Sequence, residues 1–289
     1  QTPLTNPNQG ACVYIFESGL YSLIAIGFTL IFSVGRVLNL AYGAYLMIGA
    51  YAYFYVAQTL GLPMVVGMAA AILFGALTGS LKYLFIVRPL KGDHVAVEIS
   101  TLILAVVVQA GIILVFNDSS KVLQPIVPGV VWVGGAAVTY NVVAATLASW
   151  IILGVLYLFV RKTHSGRAMQ AVSMDVKGAS ISGIDPGRVN LTTWIISGIL
   201  GAVAGVFFAS YTQLNPTMWV SPLIIAVAVV IVGGIGSIMG TLIVAHIIGF
   251  MEVISTTFIG AELRGVFTML LIIVVLVMMP KGLFGRAEL

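Results

Sequence analysis

The sequence predicts an all-α polytopic membrane protein of about eight or nine transmembrane helices, with a short β-hairpin outside the bilayer and one short cytoplasmic helix. Three observations predict it. The 289 residues are 60% hydrophobic and 8% charged, where an ordinary soluble domain carries about 25% charged residues. Apolar runs long enough to cross a hydrocarbon core of ~30 Å follow one another along the chain. The one long polar island, Arg161 to Arg188, holds five of the thirteen Lys and Arg residues. The chain therefore reads as a single transmembrane domain over residues 1–289, with 117–139 on the outer side and 161–189 in the cytoplasm.

The elements follow in order. The first span covers Cys12 to Gly35 and stops at Arg36. The next apolar stretch is too long for one helix and breaks at Gly61-Leu62-Pro63, which predicts spans over 37–59 and 62–87. A polar loop with Arg88, Lys91, Asp93 and His94 leads to a fourth span over 95–116. Val130-Val131-Trp132-Val133, Gly134-Gly135 and Ala136 to Tyr140 then read as a hairpin across a Gly-Gly turn. A fifth span covers 141–160, and a sixth, beyond the island, 190–213. Thr217 to Met251 has no Asp, Glu, Lys or Arg. As a straight helix it would be roughly 50 Å long, so it must break, and Gly233-Gly234-Ile235-Gly236-Ser237 is the place. Spans over 219–233, 238–258 and 264–280 complete the chain.

With nine crossings, ten basic residues fall on one side and two, Lys121 and Arg264, on the other, Lys82 being set aside as lying within a span. This bias places the N-terminus outside and the C-terminus inside. Gln1 to Gln9 lacks the basic stub of a cleavable signal. Gly75 and Gly79, and Gly236 and Gly240, have the small-xxx-small spacing that lets helices approach closely.

Several chemistries lack their residues. The basic residues lie at the ends of apolar runs, with no aromatic-interleaved stripe for nucleic acid. The lone Cys12 rules out an intrachain disulfide and a thiolate cluster. No Gly-Lys pair exists, so there is no phosphate-binding loop. Gly234 to Gly240 spells G-x-G-x-x-x-G between two membrane runs, without the βαβ unit of a dinucleotide site. His94, His164 and His246 are far apart, and no Gly-x-Ser-x-Gly occurs. No catalytic residue, metal ligand or resident cofactor is expected.

The few polar residues at bilayer depth are candidate pathway residues, because such groups are expensive there. Asn39, Tyr42 and Gly43 open the second run; a helix broken at its start would leave backbone groups free to line a cavity. Gln109 makes either an interhelical hydrogen bond or a solute contact. Gly233, Gly234 and Gly236 mark the later break. Glu17 and Glu98 sit near span ends. His246 and Glu252, six apart, do not share a helix face and do not read as a proton relay.

In the island, Ser165 is expected to cap a helix beginning at Gly166. Ala168, Val172, Val176 and Ala179 recur at helical spacing as one apolar face, with Arg167, Asp175 and Lys177 around it. Such a helix either docks into a groove on a cytoplasmic partner or lies solvated against the headgroups.

Gly166-Arg167-Ala168, Ala171, Asp175, Ala179, Gly183-Ile184 and Arg188-Val189 resemble the coupling segment of branched-chain amino-acid ABC transporter permeases. The ordered set extends over most of the chain: Ala25 to Phe32, Asn39-Leu40-Ala41-Tyr42-Gly43, Met47 to Tyr51, Ala202 to Gly205, Gly233 to Ser237, and Pro280-Lys281-Gly282-Leu283-Phe284-Gly285 resemble the H-type (LivH-like) subunit. The departure is Tyr42, where the pattern leads one to expect histidine. The resemblance implies one of two membrane subunits of an importer for branched-chain or other neutral amino acids. Urea or short amides are the alternative solutes, and a stand-alone channel or secondary transporter the alternative class. It implies a second related permease, most simply as a heterodimer, and two cytoplasmic ATPase subunits that bind the ATP. It also implies an extracytoplasmic solute-binding protein, and a bacterial inner or archaeal cell membrane. The coupling residues it implies are Gly166, Arg167, Ala168, Met169, Ala171, Val172, Asp175, Val176, Lys177, Ala179 and Gly183.

Overall fold

The computed structural model describes residues 7–90, 92–125, 127, 129–133, 136–234, 236–258, 266–279 and 282–284. The Gly134-Gly135 turn, Lys91, Ile235, Arg264, Arg286, and Pro280, Lys281 and Gly285 of the C-terminal motif lie outside those residues, as does the Glu17 side chain.

Eleven helices are described: α1 (Pro7–Gly35), α2 (Tyr42–Tyr53), α3 (Met64–Lys82), α4 (His94–Phe116), α5 (Tyr140–Lys162), α6 (His164–Met174), α7 (Val176–Ile181), α8 (Pro186–Tyr211), α9 (Val220–Gly233), α10 (Ile238–Phe258) and α11 (Val266–Met278). Helices α2 and α3 run on into π-helical turns at Phe54–Thr59 and Tyr83–Val87. Among the described residues five helices are long and apolar enough to cross a membrane, and Val220–Gly233 and Met239–Glu252 are shorter apolar helices. The protein is a membrane protein.

Local chemistry sets the breaks. Gly61, at φ +68°, and Pro63, extended at the start of α3, separate α2 from α3. Gly234 and Gly236, both at positive φ, separate α9 from α10, and the Ser237 hydroxyl accepts from Gly240 N at 3.0 Å to start the new helix. Pro186 and the Asp185 carboxylate start α8, the latter accepting from Gly187 N at 2.8 Å. The second span starts later than its apolar run: residues 36–41 are not helical, and the helix begins at Tyr42. Arg36 takes φ +52°, turning the chain before a helix can resume. Strands β1 (Val130–Val133) and β2 (Ala136–Thr139) pair antiparallel, Val130 opposite Thr139 and Val133 opposite Ala136.

The core is formed by α1, α2, α8 and α9, through residues such as Ile24, Phe28, Tyr45, Leu46, Trp194, Val206 and Val229. Small residues set the spacing. A Cβ at Gly75 would stand 2.5 Å from the Gly198 carbonyl and 2.6 Å from Ala202 Cβ, and one at Gly79 would overlap the Trp194 carbonyl. The Gly75/Gly79 pair is thus the α3 side of a close α3–α8 contact. Two separated motifs also meet: Leu283 N donates to Val232 O at 2.8 Å, and a Cβ at Gly282 would lie 2.6 Å from Gly234 Cα.

The two ends of the bundle differ. At one end lie Arg36, α6, α7 and the Gly234–Gly236 break; a Cβ at Gly236 would face Ser33 Oγ at 3.4 Å. At the other, Lys121 and Leu214 exchange backbone bonds of 2.8 and 2.9 Å, and the hairpin runs straight into α5.

Candidate coupling surface and pathway residues

The polar island forms two helices rather than one. The cap of α6 is Thr163, whose hydroxyl accepts from Gly166 N at 3.0 Å. Ser165, the cap expected from sequence, sits inside the first turn. Two cap-type residues lie two apart, and the earlier one wins because α5 ends at Lys162. The helix then stops at Asp175, whose extended backbone (φ −148°, ψ 114°) lets its carboxylate cap α7 by accepting from Lys177 N at 2.9 Å.

This break overturns the single apolar face. Ala168, Met169, Val172 and Ala179 are buried, but against this chain's own Val34 and Val189, with Phe159, Ala171, Ile184 and Ile196 packed around them. Gly166 lies against the Phe159 and Val160 backbone, where no side chain fits. The one non-helical residue shifts the register, so Val176 leaves the buried face and is exposed. The surface offered outward comprises Arg167, Met174, Asp175, Val176, Lys177, Ile181 and Gly183. Ile181 is 87% exposed and Met174 62%. Both lie outside the spanning helices, with Asp175 and Lys177 between them in the chain.

The expected pathway residues fall in two places: Asn39, Tyr42, Gly43 and Gln109, the last two sharing Trp219 as a neighbour, and the glycines of the later break. Asn39, Tyr42 and Gly43 are buried inside the chain. Tyr42 fills the space over Gly27 and Gly201 and meets Phe28 edge-to-face at 5.7 Å. A Cβ at Gly43 would press on Trp219 O at 2.6 Å. Of the two roles open to Gln109, the structure shows the interhelical bond: its Oε1 accepts from Trp219 Nε1 at 2.7 Å. Gly233 packs on Gly240, with the Gly240 carbonyl carbon 2.8 Å from a would-be Cβ. His246 and Glu252 both turn to α1: His246 Nδ1 lies 3.3 Å from Ser22 Oγ, and Tyr21 Oη donates to Glu252 Oε2 at 3.2 Å.

One residue set aside in the sequence reading is prominent here. Lys82, at the end of α3, is 3% exposed. Its Nζ donates to Asn39 Oδ1 at 2.7 Å and lies 4.1 Å from the centre of the Tyr45 ring and 5.5 Å from that of Trp194. The available signal was its position as a single cation inside an apolar run, which marks function or pairing at bilayer depth.

The family described as branched-chain amino acid transport system / permease component matches residues 12–276. The chain belongs to this family. Among its relatives, the high-affinity branched-chain amino acid transport system permease protein LivH of Salmonella typhimurium is 29% identical over 283 residues, 93% of this chain and 92% of that one. The corresponding BraD protein of Pseudomonas aeruginosa is 28% identical over the same shares. The ribose import permease protein RbsC of Haemophilus influenzae is 26% identical over 82% of this chain and 74% of its own. In three dimensions this permease is similar to PsaBC from Streptococcus pneumoniae in complex with Fab, with a TM-score of 0.56 at 15% identity, over 95% of this chain and 93% of that one; at that identity the likeness shows the fold. The protein is thus a permease subunit of the ABC-importer class, a transport component rather than an enzyme.

Proposed function

We propose that this permease forms half of the translocation pathway for branched-chain or other neutral amino acids in an ABC importer. The observation that carries the reading is the full-length similarity to LivH and BraD proteins, joined to a two-helix island that buries its own apolar face and leaves Met174 and Ile181 bare. A related permease completes the pore, two cytoplasmic ATPase subunits bind the ATP, and a solute-binding protein delivers the amino acid at the opposite face. The chain itself holds no cofactor. The basic end of the bundle faces the cytoplasm of a bacterial or archaeal cell, as the excess of Lys and Arg in its loops favours.

In this reading ATPase closure moves α6 and α7, and the permease responds in proportion to the difference in affinity between its two states. The outward residues Arg167, Met174, Asp175, Val176, Lys177, Ile181 and Gly183 meet the ATPase. Gly166, Ala168, Met169, Ala171, Val172 and Ala179 anchor the segment to α1, α5 and α8 so that its movement reaches the bundle.

Purification in mild detergent with mass spectrometry tests the assembly. Two ATPase subunits and a second permease are expected, and a lone chain that moves solute without ATP would contradict the proposal. Ile181→Asp places a charge in the proposed contact while touching nothing in the bundle. It is expected to lower ATPase recovery at unchanged membrane insertion, and full recovery would count against Ile181 lying in that contact.

A further inference from the structure

A buried ammonium in a spanning helix normally has a carboxylate close by. The one ion pair among the described residues is Arg188 with Asp185, 3.4 Å apart at the bundle end, so Lys82 has no carboxylate within 4.0 Å there. It is held instead by one amide oxygen and two ring faces. An unbranched apolar side chain such as Met would fill the same volume without the desolvation cost of an ion in low dielectric. Packing alone therefore does not account for lysine here.

The position of Asn39 supplies a reason. It lies in the non-helical junction 36–41, whose two ends touch different parts of the protein. On one side Val34 packs with Ala168, Met169, Val172 and Ala179 of α6 and α7, and Arg36 Nη2 donates to Met174 O at 3.5 Å. On the other, Asn39 O accepts from Tyr42 N at 3.0 Å to start α2, Leu40 N donates to Thr101 Oγ1 of α4 at 3.2 Å, and Asn39 Oδ1 holds Lys82. Trp194 Nε1, whose ring faces Lys82, is buried without a hydrogen-bond partner. The cluster is thus incompletely satisfied, and a buried polar group left so calls for an explanation.

Resting on the importer reading above, we infer that Lys82 and Asn39 are positioning residues for coupling: together they pin the α1–α2 junction to α3 and α8, so that displacement of α6 and α7 is passed on to the membrane interior. Arg36 carries the displacement into the junction and Asn39 hands it to Lys82. The released state frees the Lys82 amine from Asn39. Lys82 precedes Arg88, at the aqueous end, by six residues, and long basic side chains snorkel toward such an end. Pinned and released are then two discrete states rather than a continuous strain.

The test uses the intact complex in liposomes and reads solute moved per ATP hydrolysed, a ratio that loss of folded protein does not change. Lys82→Met and Asn39→Leu are each expected to lower it about fivefold or more while hydrolysis continues, and the double variant no further. Ratios equal to wild type in both single variants overturn the inference. If either fails to assemble, Asn39→Asp decides: it gives Lys82 a carboxylate and tightens the pin, so transport and hydrolysis should slow together while the melting temperature rises. Unchanged turnover in Asn39→Asp likewise overturns it. The two proposals fail separately. A wild-type complex that hydrolyses ATP without taking up leucine overturns the solute reading, whereas an active wild type with equally coupled variants overturns the pin.

Discussion

Helices α8 and α4 are both long and apolar, yet they occupy opposite environments. Over an 18-residue stretch of α8, with mean hydropathy 1.9, 72% of the residues are buried; over such a stretch of α4, with the higher mean hydropathy of 2.6, 17% are. In water the more apolar helix would be the inner one. In a bilayer the lipid is as apolar as the core, and burial goes to the helix that packs best. Helix α8 carries Gly198, Ala202 and Gly205, which let α2 and α3 approach to backbone contact. Helix α4 turns Ile103, Val107 and Leu114 outward and is tethered at a few points: Thr101 to Leu40, Gln109 to Trp219, and Phe116 against Tyr51 at 4.9 Å.

The comparison breaks most visibly at Gly205, where a side chain would run into the Leu46 backbone. Gly205→Val overpacks a contact that cannot yield, at a cost at or above the upper end of about 1–3 kcal/mol. The expected result is loss of monodisperse protein on size exclusion. A middle-sized effect is expected at the α4 tether. Gln109→Leu keeps the volume but strands Trp219 Nε1, lowering stability by about 1 kcal/mol, read as a lower melting temperature with uptake largely retained. The smallest belongs to the outer face of α4. Leu114, 86% exposed, leaves no cavity when shortened, so Leu114→Ala should stay within about 0.5 kcal/mol of wild type. A large loss there would mean that the face is covered by a protein partner rather than by lipid.

Much of this was legible in the chain. Gly61-Leu62-Pro63 and Gly233 to Ser237 announce their breaks because glycine and proline act locally. The hairpin is visible because its two short runs flank a turn pair. What was hidden depends on contacts distant in sequence. Nothing near Asn39 says that Lys82 will bind it, and nothing near Gly234 says that Gly282 will rest on it. The inward turn of Ala168, Val172 and Ala179 was missed because helical spacing shows that a face exists without showing what covers it. The shift of Val176 follows from Asp175, which caps a new helix instead of continuing the old one.

The most direct test of the importer account is uptake by proteoliposomes carrying the co-purified complex and its binding protein, with ATP supplied on the ATPase side. Accumulation of labelled leucine that needs ATP and is competed by valine and isoleucine is the expected result. Equal leucine entry with and without ATP, or ATP-driven entry of urea or a short amide in place of leucine, would contradict it.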